Sequence, residues 1–414
     1  AQDIEWSKKL KEAIKALEYN NNPDNITKQN IEKLYGENLK TSVSKLEQYS
    51  ACPFSYYLKY GLKLSDNDKF KIEAVDTGSF MHDIIDNFFT LINEENISIR
   101  DLDEDETNKL ISQKVDKIVE EKLNLSKNYI FIATQKYKLT AVRLKRAIKK
   151  SLKYIVDSLK NSKFDIFANE LEFGNKSENP PIVVEIENGK KVELVGKIDR
   201  VDIAKTPQGK YIRIIDYKSS IKNLDLNEVV AGLNLQLLTY MDEMCKNDDN
   251  SEPAGVLYFN LIDPIIKCAR NVNDEKLEEE IRKKFKMQGY ILADIDVIKM
   301  HDKNLEKGLS KYIPAYIDKD GNVSKSKSNV VSKEEFQSLL KYTNKCIKLI
   351  SNKILNGNIE IKPYYNTKGK KSSCTYCKYK SICQFSPELC KNEYRYIKNI
   401  DKNEILEYLK KECD

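Results

Sequence analysis

Apolar residues recur every three or four positions through SFMHDIIDNFFTLI, where Phe80, Met81, Ile84, Ile85, Phe88, Phe89 and Ile92 predict a helix buried on most of its surface, preceded by Asp76-Thr77-Gly78. Before it, a charged helix, the loop NNNPDN with Pro23 and a second helix lead to Tyr35-Gly36. A short helix then opens around Thr41 and ends near Cys52-Pro53, its Ser44 and Glu47 spaced as a capping box. From about 102 to 160 the pattern is polar and helical. Arg143, Arg146, Lys149 or Lys150, and Lys153 share one face there, which reads as a solvated side or as a stripe tracking phosphates.

Between 166 and 217 the period changes to two. FANELEFG, PIVVEIE, KVELVGKIDRVDIA and KYIRIIDYK read as a β-meander with turns at Asn188-Gly189 and Pro207-Gln208-Gly209. A helical segment over 227–246 and a buried strand over 254–261 complete an α-β-β-β-α-β order, an α/β class. The predicted organisation is a helical lead-in (1–40), an N-terminal arm (41–64), a core (65–262), a lysine-rich insertion (263–345), a helix with a cysteine segment (346–396) and a C-terminal helix (397–414). A long helix over 333–357 bridges the last boundaries, and no internal repeat is visible.

Composition narrows the class. The 414 residues leave room for two or three domains. Only 14 Gly and 10 Pro favour long helices over tight turns. No window approaches the ~18 consecutive apolar residues of a membrane span. The start, AQDIEWSKKLKEAIKAL, has neither an initiator Met nor an apolar signal core and reads as a fragment of something longer. A net charge of +6 is too small to name a nucleic-acid partner by itself. Nine unevenly spaced Cys fit a reducing, cytoplasmic compartment and a metal site better than a secreted disulfide framework.

Asp216-Tyr217-Lys218 ends the strand YIRIID, and alternation puts Asp216 and Lys218 on one side. The triplet is uninformative alone, since chance supplies about ten acid-x-Lys triplets in a chain of this composition. Position adds the information: Asp199, in GKIDR on the adjacent strand, would be costly to bury unpaired. Two carboxylates suit Mg²⁺ or Mn²⁺, which lowers the pKa of a bound water and neutralises phosphate charge, with Lys218 orienting that water. His82, one of only two His, sits on an otherwise apolar helix as a core residue or a ligand, and beside Asp199, Asp216 and Lys218 the ligand reading prevails. His301 stays a core residue. Gln236 and Tyr240, four apart, share a helix face that can reach a phosphate, a base or the metal.

Cys374-x-x-Cys377 and Cys383 bring three thiolates within ten residues, enough to wrap one metal centre that still needs a fourth ligand. Cys390 is the local candidate and Cys52 the distant one, and spacing does not separate zinc from an iron-sulfur cluster. A bond from Cys52 would close most of the chain into one loop, worth roughly 5–6 kcal/mol on chain-entropy grounds. Cys245, Cys268, Cys346 and Cys413 read as free thiols.

Taken in order, SVSKLEQYSACPFSYYLKYGLKL, DTGSFMH, GKIDRVD, IIDYKSS, QLLTY and C-x₂-C-x₅-C resemble the nuclease domains of the AddB family of helicase-nuclease subunits, RecB-like PD-(D/E)XK nucleases, over about residues 35–396. The resemblance implies a restriction-endonuclease-like core with helical additions, and DNA phosphodiester hydrolysis by a metal-activated water during double-strand break processing. It implies His82, Asp199 and Asp216 as ligands of Mg²⁺ or Mn²⁺, Lys218 as the catalytic lysine and Gln236 with Tyr240 as the QxxxY motif. It implies a four-iron, four-sulfur (4Fe-4S) cluster on Cys52, Cys374, Cys377 and Cys383, against Cys390 and against zinc. Single-stranded ends fed by a motor, and a partner AddA subunit, follow from it too. No G-x-x-x-x-G-K-[ST] loop occurs, so the chain lacks that route to ATP hydrolysis. The rival readings are a stand-alone RecB-like exonuclease and a catalytically idle iron-sulfur module that binds DNA ends.

Overall fold

The computed structural model describes residues 2–17, 21–65, 70–174, 177–207, 209–246, 248, 250–267, 273–389 and 392–413. Cys268 and Cys390 therefore lie outside the described residues.

The elements that build the site run in chain order. Helix α1 (Val43–Ala51) belongs to the N-terminal arm, and helices α2 (Ala74–Glu94), α3 (Glu104–Leu123) and α4 (Gln135–Lys160) form one layer. Strands β1 (Asp165–Phe173), β2 (Gly196–Thr206) and β3 (Gly209–Lys218) follow, then helix α5 (Gln236–Lys246), strands β4 (Ser251–Asn260), β5 (Gln288–Leu292) and β6 (Val330–Val331), and helix α6 (Lys333–Leu355). The six strands form one mixed sheet in sequence order. The β3–β4 and β5–β6 pairs are parallel and the others antiparallel, so α5 is the crossover that a parallel pair requires.

Alternation along the central strands divides the core in two. Ile215, Tyr217, Leu257 and Phe259 pack with α2, α3 and α4, whereas Ile212, Ile214, Val256 and Tyr258 pack with α1, α5 and α6. A sheet covered on both faces explains why AGVLYFN is apolar without alternation.

Several expectations change. The predicted insertion contributes to the core: β5 and β6 extend the central sheet and α6 covers it. KVELVGKIDRVDIA is two strands: Lys191–Leu194 pairs with Ile182–Glu185 and with Leu39–Thr41 in a separate three-stranded sheet, and β2 begins at Gly196. Helix α2 starts before Asp76-Thr77-Gly78, with a capping box between Glu73 and Asp76. Segment 227–246 is two helices, Leu226–Val230 and α5, broken around Gly232 at φ 74, where an added Cβ would lie 2.7 Å from the Ser50 hydroxyl. The Ser44–Glu47 capping box does not form: Ser42 caps α1 by accepting from the Lys45 N–H, and Glu47 reaches α5 instead.

Candidate active site and thiol cavity

The site forms where two strands part. β2 and β3 pair from Thr206/Gly209 as far as Arg200/Ile215 and then diverge, β2 continuing along β1 to Phe173/Gly196 and β3 along β4 to Lys218/Asn260. The divergence frees the Tyr217 N–H, which donates to Asp199 Oδ2 at 2.7 Å. Asp216 follows Ile212 and Ile214 in alternation and is 3% exposed. Lys218 Nζ lies 2.5 Å from Asp216 Oδ2 and 5.8 Å from the Tyr258 ring centroid. His82, on α2, enters from the other layer, its Nδ1 3.4 Å from Asp199 Oδ2 and 3.6 Å from Glu170 Oε1.

Glu170 is the residue that sequence reasoning missed. It sits on β1 with φ 50, a left-handed conformation uncommon for a non-glycine residue, and it also pairs with Lys197. His82, Glu170 and Asp199 offer ligand atoms within 4.8 Å of one another, the one such group among the described residues. In FANELEFG nothing distinguishes Glu170 from Glu172, because alternation gives both the same face; the sole available signal was its strand's adjacency to Asp199.

The charges respond to this crowding. Burial would lower His82, but Asp199 and Glu170 outweigh it and hold the imidazole up to about 10. Burial and then the Asp199 carboxylate push Asp216 up to about 6, against Lys218 and His82. Without a cation, His82 carries the positive charge that these acids require. Carboxylate oxygens with one imidazole are a donor set for a divalent cation, whose binding would release protons from the group.

Gln236 is the first residue of α5, and its amide lies 3.5 Å from the Tyr240 hydroxyl one turn on. Tyr240 is buried, and burial followed by the Asp216 and Asp199 charges keeps its phenol protonated. Gly196 makes room for it: an added Cβ would lie 2.9 Å from Tyr240 Oη and from the Phe173 ring. A carboxylate from the arm holds the start of α5, with Glu47 Oε1 accepting from the N–H groups of Leu235 at 2.7 Å and Gln236 at 3.1 Å. Spacing along the chain points to a local cap alone for Glu47.

Cys52, Cys374, Cys377 and Cys383 line one small cavity, with Phe54, Ile361, Pro363 and Phe385 among its walls. Cys52 is buried at the end of α1, and burial pushes its thiol up to about 11. Among the described residues no three sulfurs lie within 4.8 Å of one another. Cys245 and Cys346 are half-buried and buried, away from that cavity, and Cys346 lines a different one of about 190 Å³ against Tyr49 and Tyr342.

On α4 the basic stripe is largely occupied. Arg146 and Lys150 both pair with Asp263, Lys145 and Lys149 with Asp116, and Lys153 with Glu104, while Arg143 is exposed. His301 is fully buried beside Arg213, and burial followed by that guanidinium lowers it to about 3, as suits a core residue.

A family model described as the PD-(D/E)XK nuclease superfamily matches residues 40–384. Curated relatives, each named as the B subunit of an ATP-dependent helicase/deoxyribonuclease, include those of Ruminiclostridium cellulolyticum (37% identical over 97% of this chain and 35% of the relative), Caldanaerobacter subterraneus subsp. tengcongensis (38%, 95% and 34%) and Clostridium acetobutylicum (38%, 99% and 35%). The chain spans about a third of the length of these relatives. No described helix is long and apolar enough to cross a membrane.

Proposed function

Because the chain belongs to the PD-(D/E)XK nuclease superfamily, we propose that it is the nuclease part of a helicase-nuclease B subunit, a cytoplasmic metal-dependent deoxyribonuclease that trims DNA ends during double-strand break repair. The observation that carries this reading is the gathering of His82, Glu170 and Asp199 at the fork beside Asp216 and Lys218. Its substrate is single-stranded DNA delivered by the motor of an AddA-type partner subunit.

His82, Asp199 and Asp216, together with Glu170 beside the same His82 nitrogen as Asp199, would hold Mg²⁺ or Mn²⁺. When bound, the ion supplies an activated water and neutralises phosphate charge. The protein's own groups do the rest. Lys218, steadied by Asp216 and the Tyr258 ring, presents an ammonium to the scissile phosphate and stabilises charge that develops on its oxygens. Tyr240 keeps its proton as a donor, and Gln236 orients DNA above the fork.

Cys52, Cys374, Cys377 and Cys383 would hold a 4Fe-4S cluster, whose role is to clasp the arm to the C-terminal segment. A shared cavity lined by the four thiols supports this.

The test is Mg²⁺-dependent cleavage of single-stranded DNA by Lys218→Ala protein. Cleavage should vanish while DNA retention on a filter persists, because affinity comes from many dispersed phosphate contacts. Wild-type cleavage by this variant would refute the assignment.

A further inference from the structure

Glu47 occupies an unusual position in the chain of contacts just described. The usual cap of a helix is a side chain next to it in sequence. Here the cap of α5 comes from 189 positions away, on α1, whose far end carries Cys52 into the thiol cavity. The capped N–H groups belong to Leu235 and to Gln236 itself, so the carboxylate grips the backbone of the residue whose side chain reaches Tyr240.

The segment before α5 has one other firm anchor. Asn234, 1% exposed, accepts from the hydroxyl of Tyr258, the ring beneath Lys218 and Lys222, and donates to Glu228 at 3.1 Å. Tyr258 thus ties the segment to β4 and Glu47 ties it to the arm. Burial holds the Glu47 carboxyl above its usual range, against the attraction of Lys222, the two N–H groups and Lys218. Lys218 and Lys222 are therefore the cations that share its field.

From this juxtaposition we propose that Glu47 is a positioning residue for hydrolysis, setting the place of Gln236, and through its amide that of the Tyr240 hydroxyl, relative to Lys218 and mechanically linking the Cys52 arm to the active site. The proposal rests on the nuclease reading above. It assigns Glu47 no contact with DNA or metal. Its action is reach: an acceptor at the end of a two-carbon stem holds the first turn of α5.

Reach and charge separate by substitution in the intact protein. Glu47→Gln preserves length and an acceptor oxygen, Glu47→Asp preserves charge and shortens the stem, and Glu47→Ala removes both. Misplacement near 1 Å can cost up to ~100-fold, so kcat for single-stranded DNA cleavage should fall at least ~10-fold in Ala and Asp, stay within ~3-fold in Gln, and leave KM nearly unchanged. Since Glu47 acts through Gln236, Glu47→Asp made on a Gln236→Ala background should lower kcat by less than ~2-fold, a coupling that a generally loosened fold would not produce. Iron content and thermal midpoint of the Asp and Gln variants check that both are folded, should the Ala variant fail to fold. Equal kcat in the Asp and Gln variants, or an undiminished loss on the Gln236→Ala background, would overturn the proposal. Lys218→Ala in parallel keeps the two readings apart: if it cleaves normally the nuclease assignment fails, and if it is inactive while Glu47→Asp is wild-type only the Glu47 proposal fails.

Discussion

Replacing Asp216 with Asn should make the metal-free protein more stable while abolishing cleavage. Asp216 is 3% exposed and faces Asp199, and its carboxyl is pushed from 3.8 up to about 6, by burial first and Asp199 second. Below about pH 4 both folded and unfolded chains hold this proton, and ionisation costs nothing. As pH rises from about 4 to about 6, the unfolded chain releases the proton first and the folded state falls behind. The cost reaches about 3 kcal/mol above pH 6, at ~1.4 kcal/mol per unit, and water at the partly open Lys218 makes that figure an upper one. Asn cannot ionise and escapes the cost. Urea unfolding from pH 4 to pH 8 with divalent ions chelated should show the variant gaining stability over wild type between pH 4 and 6, with a plateau above. Saturating Mg²⁺ should offset most of that gain, since ~100 Kd of a ligand bound only by the native wild type adds ~2.7 kcal/mol. A variant equal to or weaker than wild type at pH 7 in chelator, or a gain that does not change with pH, would refute the reasoning.

His82→Gln should raise the Mg²⁺ concentration needed for half-maximal cleavage by ~10-fold or more, with a different defect in Mn²⁺, which accepts nitrogen more readily; unchanged metal dependence with a lower melting point would make His82 a packing residue. Asp202→Asn should cost about 3–5 kcal/mol in denaturant titrations, because it holds the fully buried Arg200 and Arg213 at 2.6–2.7 Å and leaves both charges uncompensated when removed. A loss under ~1 kcal/mol would show that water or a neighbour takes its place. Cys52→Ala protein purified without oxygen should lose its iron and the broad absorbance near ~400 nm, whereas Cys245→Ala keeps both; zinc in place of iron in the unaltered protein would overturn the cluster. Gln at both Arg146 and Lys150 should flatten the salt dependence of DNA binding by no more than ~1 log unit of slope, since Asp263 already pairs with both and leaves one net positive charge, and a drop of ~2 units would restore a phosphate-tracking face.

Much of the site was legible because it depends on local periodicity. Strand alternation put Asp216 and Lys218 on one side, and the structure has them 2.5 Å apart. The apolar stripe of α2 made His82 conspicuous, and the residues expected to be buried there are buried. What escaped is what adjacency in space decides. Glu170 reaches His82 through a left-handed backbone in β1, which no period of two foretells. The lysine-rich composition of 263–345 hid two short strands of the central sheet, β5 beside β4 and β6 beside β5, whose pairing depends on a neighbour rather than on their own pattern.

By itself, the sequence determined the α/β order, the buried helix, the strand pair that carries the acids and the trio of clustered cysteines, all consequences of spacing within a few residues. Only the tertiary structure decided the divergence of β2 from β3, the arrival of His82 and Glu170 from separate elements, and the choice of Glu47 as the cap of α5 over its own helix. The physical reason is that a buried carboxylate or an open helix end must find a partner, and the folded chain supplies one from whichever segment lies within reach, at a sequence distance that local pattern does not encode.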